Sequence, residues 1–193
     1  MGDYWSGHEL LVTGGASFIG SHVVDDLVER EAIVRVIDNL SSGKRENIAG
    51  HVDAGTVEFV QGDLLDRSVA EDSVRGMRTV IHLAADHGGR GYVDRHQVAC
   101  STNMVLDGQL FKACAEAGVE KVVYASSGCV YPNHLQNDPG EILYLTEDLV
   151  GPPYDADNMY GWAKLMGEMA LVEIQACHSV MGLRLEVPSP LRV

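Results

Sequence analysis

The 193 residues have no basic surplus. Lys and Arg number 14 against 28 Asp and Glu, a formal net charge of −14. A nucleic-acid binder needs a basic face for phosphates, so no nucleic-acid partner is expected. A small anionic ligand is still allowed, because a few local cations and a helix N-terminus suffice for it. Cys pairs at CxxC spacing are also missing. The four cysteines stand at 100, 114, 129 and 177. That pattern fits reduced thiols in the cytoplasm better than a disulfide framework or a metal centre. His22, His51, His82, His96, His134 and His178 lack ligand spacing, so they read as structural or exposed and no metal is expected. No apolar run approaches the roughly 20 residues of a membrane span, so no membrane partner is expected. The start, MGDYWSGHEL, has no cationic region ahead of an apolar run and gives no secretory signal. It matches a myristoylation pattern only loosely, and a strand begins almost at once. Repeats and low-complexity segments are absent as well. What remains, 46% hydrophobic and 22% charged, is the composition of an ordinary α/β protein.

Short apolar runs alternate with longer amphipathic segments. Residues 8–13 (HELLVT), 33–37, 57–60, 79–83 and 121–125 read as buried strands. Residues 18–30 carry apolar side chains at 19, 23, 24, 27 and 28, a helical spacing, and 66–75 is a short helix. Residues 98–117 read as one long helix stopped by Gly118. A second long helix spans 157–176, with Asp157 or Asn158 as its cap. Strands alternating with helices predict a doubly wound parallel sheet in a three-layer α/β/α arrangement. Loops fall at 39–56, 84–96 and 128–156, the last too long to be a mere connection. The end, MGLRLEVPSPLRV, begins like a sixth strand and turns proline-rich.

TGGASFIG (13–20) joins a strand to a helix, the context in which a glycine-rich match gains meaning. Gly14 permits the tight turn, Gly20 lets helix and sheet approach closely, and the helix N-terminus faces a pyrophosphate. Ser17 stands where such loops carry a glycine. Its Cβ and hydroxyl would either crowd a phosphate oxygen or donate to it. Asp38, 18 residues after Gly20, offers a carboxylate to ribose hydroxyls and so favours NAD over NADP. Asp63, after the third strand, either reaches the adenine or caps a turn. Tyr160 and Lys164 share a helix face at i and i+4. An ammonium beside the phenol is expected to lower its pKa towards that of a general base. Ser126-Ser127, at the end of the fifth strand, offers a hydroxyl to the same substrate oxygen.

In this order, TGGASFIG, Asp38-Asn39-Leu40, Gly62-Asp63-Leu64, His82-Leu83-Ala84-Ala85, Asn103, Tyr124-Ala125-Ser126-Ser127, Val130-Tyr131 and Tyr160-Gly161-Trp162-Ala163-Lys164 resemble the extended short-chain dehydrogenase/reductase family. Within it they resemble the NAD-dependent nucleotide-sugar epimerases and dehydratases, over residues 8–180. The resemblance implies a Rossmann domain over 1–180 that binds NAD, and a catalytic set of Ser127, Tyr160 and Lys164, with Asn103 positioning the lysine. It implies cofactor contacts from Gly14, Ser17, Phe18, Ile19, Gly20, Asp38, Asn39, Asp63, Leu64, Leu83, Ala84, Ala85 and Asn103, together with Tyr160 and Lys164. It also implies a homodimer through the helices at 98–117 and 158–176.

HLAADHGGRGYV (82–93) and YASSGCVYP (124–132) are similar to the GDP-mannose 3,5-epimerase branch. There the residue matching Cys129 is an acid/base at the sugar carbons. The chemistry is coherent, because a ketone at C4 acidifies neighbouring C–H bonds within reach of a thiolate. Gly88 and Gly89 would let their loop approach the sugar, Arg90 would meet a hydroxyl or phosphate, and Ser127 would also touch substrate. The related 4,6-dehydratases carry Asp-Glu where this chain has Gly128-Cys129, which favours epimerisation of a GDP- or UDP-linked hexose. The family's C-terminal substrate lobe is not found in the sequence, and 181–193 reads as an irregular tail. The competing expectation is therefore a catalytically silent NAD-binding or dimerising module.

Overall fold

The computed structural model describes residues 3–136, 144–177 and 184–186. Six strands form one parallel sheet: β1 (Glu9–Thr13), β2 (Ile33–Asp38), β3 (Val57–Gln61), β4 (Thr79–His82), β5 (Lys121–Tyr124) and β6 (Arg184–Glu186). Their order is β3-β2-β1-β4-β5-β6, so the chain reverses direction across the sheet between β1 and β4. In open parallel sheets the ligand crevice lies at that reversal, outside the carboxyl ends of the strands.

Alternation along each strand sends side chains to two cores, one on each face. In β1, Leu11 enters a core with Val80, Leu110, Phe111 and Leu171, while Leu10 and Val12 enter another with Val24, Leu27 and Ile48. The first core lies under α3 (Arg67–Ser73), α6 (Asn103–Ala117) and α7 (Asn158–Cys177), and the second under α1 (Phe18–Glu29). This is the expected doubly wound, three-layer Rossmann arrangement. The tail expected to be irregular over 181–193 holds β6, which extends the sheet beyond β5, and its residues 181–183 and 187–193 lie outside the described residues.

The long helix expected over 98–117 is two helices, α5 (Gln97–Ser101) and α6, broken at Thr102. The cause is local. Ser101 Oγ donates to the Val98 carbonyl at 2.7 Å and Thr102 Oγ1 to the Ala99 carbonyl at 2.6 Å. Those hydroxyls compete with backbone N–H groups for the carbonyls of the turn. Gly118 ends α6 in the left-handed conformation, φ +74°, as expected. The loop at 39–56 also holds more structure than its sequence suggested: a 3₁₀ turn, Arg45–Ile48, and α2 (Ala49–Asp53), with Ile48 buried. Both are too short to show a period. A further one-turn helix, α4 (Arg90–Val93), sits in the loop after β4.

Candidate active site

The carboxyl ends of β1, β2, β3 and β4 open into one cleft. Gly14, Ser17, Asp38, Asn39, Asp63, Leu64, Leu83, Ala84, Ala85 and Asn103 all line it. Gly14 stands at φ +68°, and a Cβ there would lie 3.0 Å from the Ala84 nitrogen, so only glycine fits. A Cβ on Gly20 would overlap the carbonyl of Gly14 and come 2.7 Å from the Gly15 Cα. The first turn of α1 can therefore press onto the loop after β1. Gly15 was not singled out in the sequence; its own Cβ would lie 2.7 Å from Val36 Cγ1.

Ser17 is the N-cap of α1: its Oγ accepts the Gly20 N–H at 3.1 Å. The hydroxyl proton stays free to donate, so donation to an anion is the role that the geometry supports. Phe18 and Ile19, expected at the cofactor, turn their side chains elsewhere. They are 77% and 66% exposed and border a separate apolar groove with Trp5 and Ile81. Only their backbone N–H groups, in the unbonded first turn of α1, are placed to serve an anion. We expect Ser17→Gly to weaken NAD binding severalfold, measured by calorimetric titration; tighter binding would show that Ser17 crowds the loop instead.

Asp38 is the last residue of β2 and is 7% exposed. Its Oδ2 accepts the Ala16 N–H at 3.0 Å and its Oδ1 the Leu40 N–H at 2.8 Å. It thus ties the glycine loop to the next loop as well as facing the cleft. Of the two readings open for Asp63, the turn contact is the one seen. Oδ1 accepts the Leu65 N–H at 2.9 Å, and Oδ2 accepts from Asn39 Nδ2 at 3.1 Å at the cleft wall. Asn103 clamps the loop after β4 by a reciprocal pair, Asp86 N–H to Oδ1 at 2.7 Å and Nδ2 to the Asp86 carbonyl at 2.9 Å. Among the described residues no hydrogen bond joins it to Lys164.

The second group of site residues lies where β5 meets α7. Ser127 caps the turn Gly128–Val130, accepting the Cys129 N–H at 3.1 Å, and its hydroxyl is near enough to the Tyr160 phenol to favour the phenolate. Gly161 brings the two elements together: a Cβ there would overlap the Cys129 carbonyl. Cys129 is partly exposed, and its charge would act on Tyr160. Asn158, not Asp157, caps α7, its Oδ1 accepting the Tyr160 N–H at 3.0 Å.

One electrostatic expectation is corrected. Burial, helped by the proximity of Cys129, pushes the Tyr160 phenol up to about 12, and the Ser127 hydroxyl only partly offsets this. Lys164 is not among the groups that shift it. The lysine is buried, with Nζ 4.5 Å from the centre of the Tyr124 ring. The chain alone therefore holds a neutral phenol.

The remaining residues are placed as follows. Gly88 packs against the Tyr92 ring, and Gly89 precedes α4 with open space beside its Cα. Arg90 is paired with Asp94 and Asp157, so its guanidinium is engaged by carboxylates rather than free for a phosphate. Ser126, which the sequence offered beside Ser127 as a substrate hydroxyl, donates instead to Glu168 one turn beyond Lys164, a partner that sequence reasoning missed. It also left His82 bland, although this side chain is fully buried in a polar network. His178 lies outside the described residues. Among the described residues no cluster could hold a metal, and no helix is long and apolar enough to cross a membrane.

Comparison with known proteins extends this picture. The profile of the family described as "NAD dependent epimerase/dehydratase family" matches residues 10–188. The UDP-glucose 4-epimerase of Neisseria meningitidis serogroup B is 35% identical over 172 residues, covering 86% of this chain and 48% of that protein. The solved UDP-glucose 4-epimerase of Thermus thermophilus, in complex with NAD, is 34% identical with a TM-score of 0.73, covering 91% of this chain and 52% of that one. That of Thermotoga maritima, with UDP-glucose, is 31% identical with a TM-score of 0.74, covering 92% and 53%. The chain spans about half the length of the curated relatives it matches. These relatives are UDP-glucose 4-epimerases, whereas the sequence resemblance had pointed more narrowly to GDP-mannose 3,5-epimerases.

Proposed function

Since the chain belongs to the NAD dependent epimerase/dehydratase family, we propose that it carries the cofactor cleft and oxidoreductive side chains of a UDP-hexose 4-epimerase. The observation that carries this reading is the pairing of a glycine-cradled cleft with the Ser127–Tyr160 contact at the end of the neighbouring strand. The residues fit NAD: no side chain occupies the turn at Gly14, the first turn of α1 offers N–H groups, and Asp38 presents a carboxylate where ribose hydroxyls would lie. Bound there, NAD supplies a reversible acceptor for the hydride of the sugar C4.

The protein's part is proton handling and orientation. Ser127 Oγ and the Tyr160 hydroxyl converge on one substrate oxygen. As C4–OH becomes a ketone, Tyr160 takes its proton, and it returns that proton when the hydride adds to the other face. A phenol held near 12 is a poor base at neutral pH, so added positive charge in the cleft must lower it for the cycle to run. Lys164, buried and cationic, contributes fixed charge and orientation. Incubating the chain with NAD and UDP-glucose should form UDP-galactose; no product with NAD bound would sink the reading.

A second reading has one observation in its favour, the position of Cys129 beside Tyr160. With a transient ketone at C4, a thiolate there would exchange protons at C3 or C5, as in GDP-mannose 3,5-epimerisation. The two readings separate cleanly in heavy water. C4 epimerisation by hydride return leaves the sugar unlabelled, whereas thiol catalysis incorporates deuterium that Cys129→Ser abolishes. The expected result is an unlabelled product.

The proposal includes a homodimer in the cytoplasm. Val105 on α6 and Met166 and Val172 on α7 are 54%, 48% and 56% exposed, an apolar surface suited to a second copy. Sedimentation should give twice the chain mass, and Val105→Glu should return it to one.

A further inference from the structure

Asp107, on α6, has no part in the chemistry proposed above. It is 2% exposed, His82 0% and Lys164 2%. Both carboxylate oxygens are taken: Tyr124 donates its hydroxyl to Oδ2 at 2.5 Å, and His82 Nε2 meets Oδ1 at 3.0 Å. On the far side of the imidazole, Nδ1 lies 2.6 Å from Thr13 Oγ1, which accepts the N–H groups of Leu83 and Ala84 at 3.1 Å each. With its lone pairs turned to those amides, Thr13 gives its proton to Nδ1. The His82 proton is then on Nε2, facing the carboxylate, and the ring is neutral. Burial likewise holds His82 below its usual range.

His82 therefore brings no positive charge to Asp107. The buried cation at hand is Lys164, whose Nζ lies over the ring that Asp107 holds by its hydroxyl. Gly167, three residues further along α7, approaches so closely that a Cβ there would come 3.0 Å from Asp107 Oδ2 and overlap the Tyr124 hydroxyl. Only glycine lets α7, which carries Lys164, approach the Tyr124–Asp107 pair this closely. A carboxylate and an ammonium at this depth are each strongly disfavoured without the other.

We propose that Asp107 is a positioning residue for Lys164: the buried counter-charge that, acting directly across the Tyr124 ring, keeps the ammonium protonated and fixed. The inference rests on reading Lys164 as part of the oxidoreductive set, but its test needs no turnover. Facing the lysine are Asp107 from α6, Tyr124 from β5 and Glu168 from α7 itself, with His82 from β4 behind the carboxylate. Burial pulls the Lys164 ammonium down, Asp107 lifts it most, and Glu168, shared with Ser126, lifts it second.

The chain has only four lysines, Lys44, Lys112, Lys121 and Lys164. Carbon-13 labelling at Cε therefore lets Lys164 be titrated by NMR, with its signal assigned by Lys164→Met. In Asp107→Asn the midpoint is expected to fall by about 1–3 pH units. Tyr124→Phe keeps the ring and the carboxylate and should shift it far less. An unchanged midpoint in Asp107→Asn, or an equal shift in Tyr124→Phe, would overturn the proposal. Should Asp107→Asn not fold alone, thermal unfolding decides. Lys164→Met combined with Asp107→Asn should unfold at a higher temperature than Lys164→Met alone, and a lower temperature would refute the pairing. A wild-type chain with no turnover but with this lysine shift intact would refute the function proposed above and support this inference.

Discussion

Tyr160→Phe is expected to lower the rate of UDP-hexose oxidation by about 10²- to 10⁴-fold, the usual contribution of a positioned proton donor and acceptor. Its NAD affinity should change little, because the glycine loop and Asp38 stand on other elements. The structure explains why the loss should be this large. In the proposed site Ser127 would share the substrate oxygen, but it is itself tied to the turn it caps, accepting from the Cys129 N–H. It can orient the oxygen, while Tyr160 is the group proposed to take the proton away. Single-turnover mixing of the NAD-loaded chain with UDP-glucose measures the step. A loss below tenfold would move the proton transfer to another group. Charge in the cleft should also act on the same phenol. Its ultraviolet titration should give a midpoint of about 12 in the free chain and a lower one with NAD bound, because positive charge favours the phenolate.

Gly20→Val is expected to abolish measurable NAD binding and to cost about 1–3 kcal/mol of stability, the usual range for an overpacked site. The added Cβ meets backbone, the Gly14 carbonyl and the Gly15 Cα, and no flexible side chain can give way. The loop must shift, and it is the loop that sets the Gly14 turn and the first N–H groups of α1. Gly108→Ala is the matched control. It lies on the exposed face of α6 with open space around it, so it should add about 0.5–1 kcal/mol through helix propensity. Chemical denaturation and calorimetric titration of the two variants check both effects. Normal NAD affinity in Gly20→Val would mean that the cleft after β1 is not the cofactor site.

The sheet was legible in the sequence because a parallel sheet buried on both faces writes itself as short continuous apolar runs. Leu10, Leu11 and Val12 are all buried, although they point to different cores. The glycine loop was legible because Gly14 and Gly20 sit where no side chain fits. The break at Thr102 was not legible, since Ser and Thr hydroxyls that bond back to the preceding turn also occur in unbroken helices, and the residue types alone do not say which occurs. The direction of Phe18 and Ile19 was hidden for a related reason. A motif fixes which backbone meets a ligand, whereas the helix register decides where each side chain goes. The Asp107 network escaped because its members lie on four elements far apart in the chain. The separation is 69 residues between Thr13 and His82, 25 between His82 and Asp107, and 17 between Asp107 and Tyr124. The sign of the Tyr160 shift was misjudged because i,i+4 spacing gives a shared face but not the depth. Burial sets the direction of the shift, and the lysine ammonium lies over the Tyr124 ring instead.

The most direct test of the account is rapid mixing of the NAD-loaded chain with UDP-glucose, following reduced nicotinamide in the ultraviolet and UDP-galactose in the quenched samples. The account predicts that reduced nicotinamide rises before UDP-galactose and that Tyr160→Phe slows both together. Bound NAD that stays oxidised while UDP-glucose remains unchanged would contradict it.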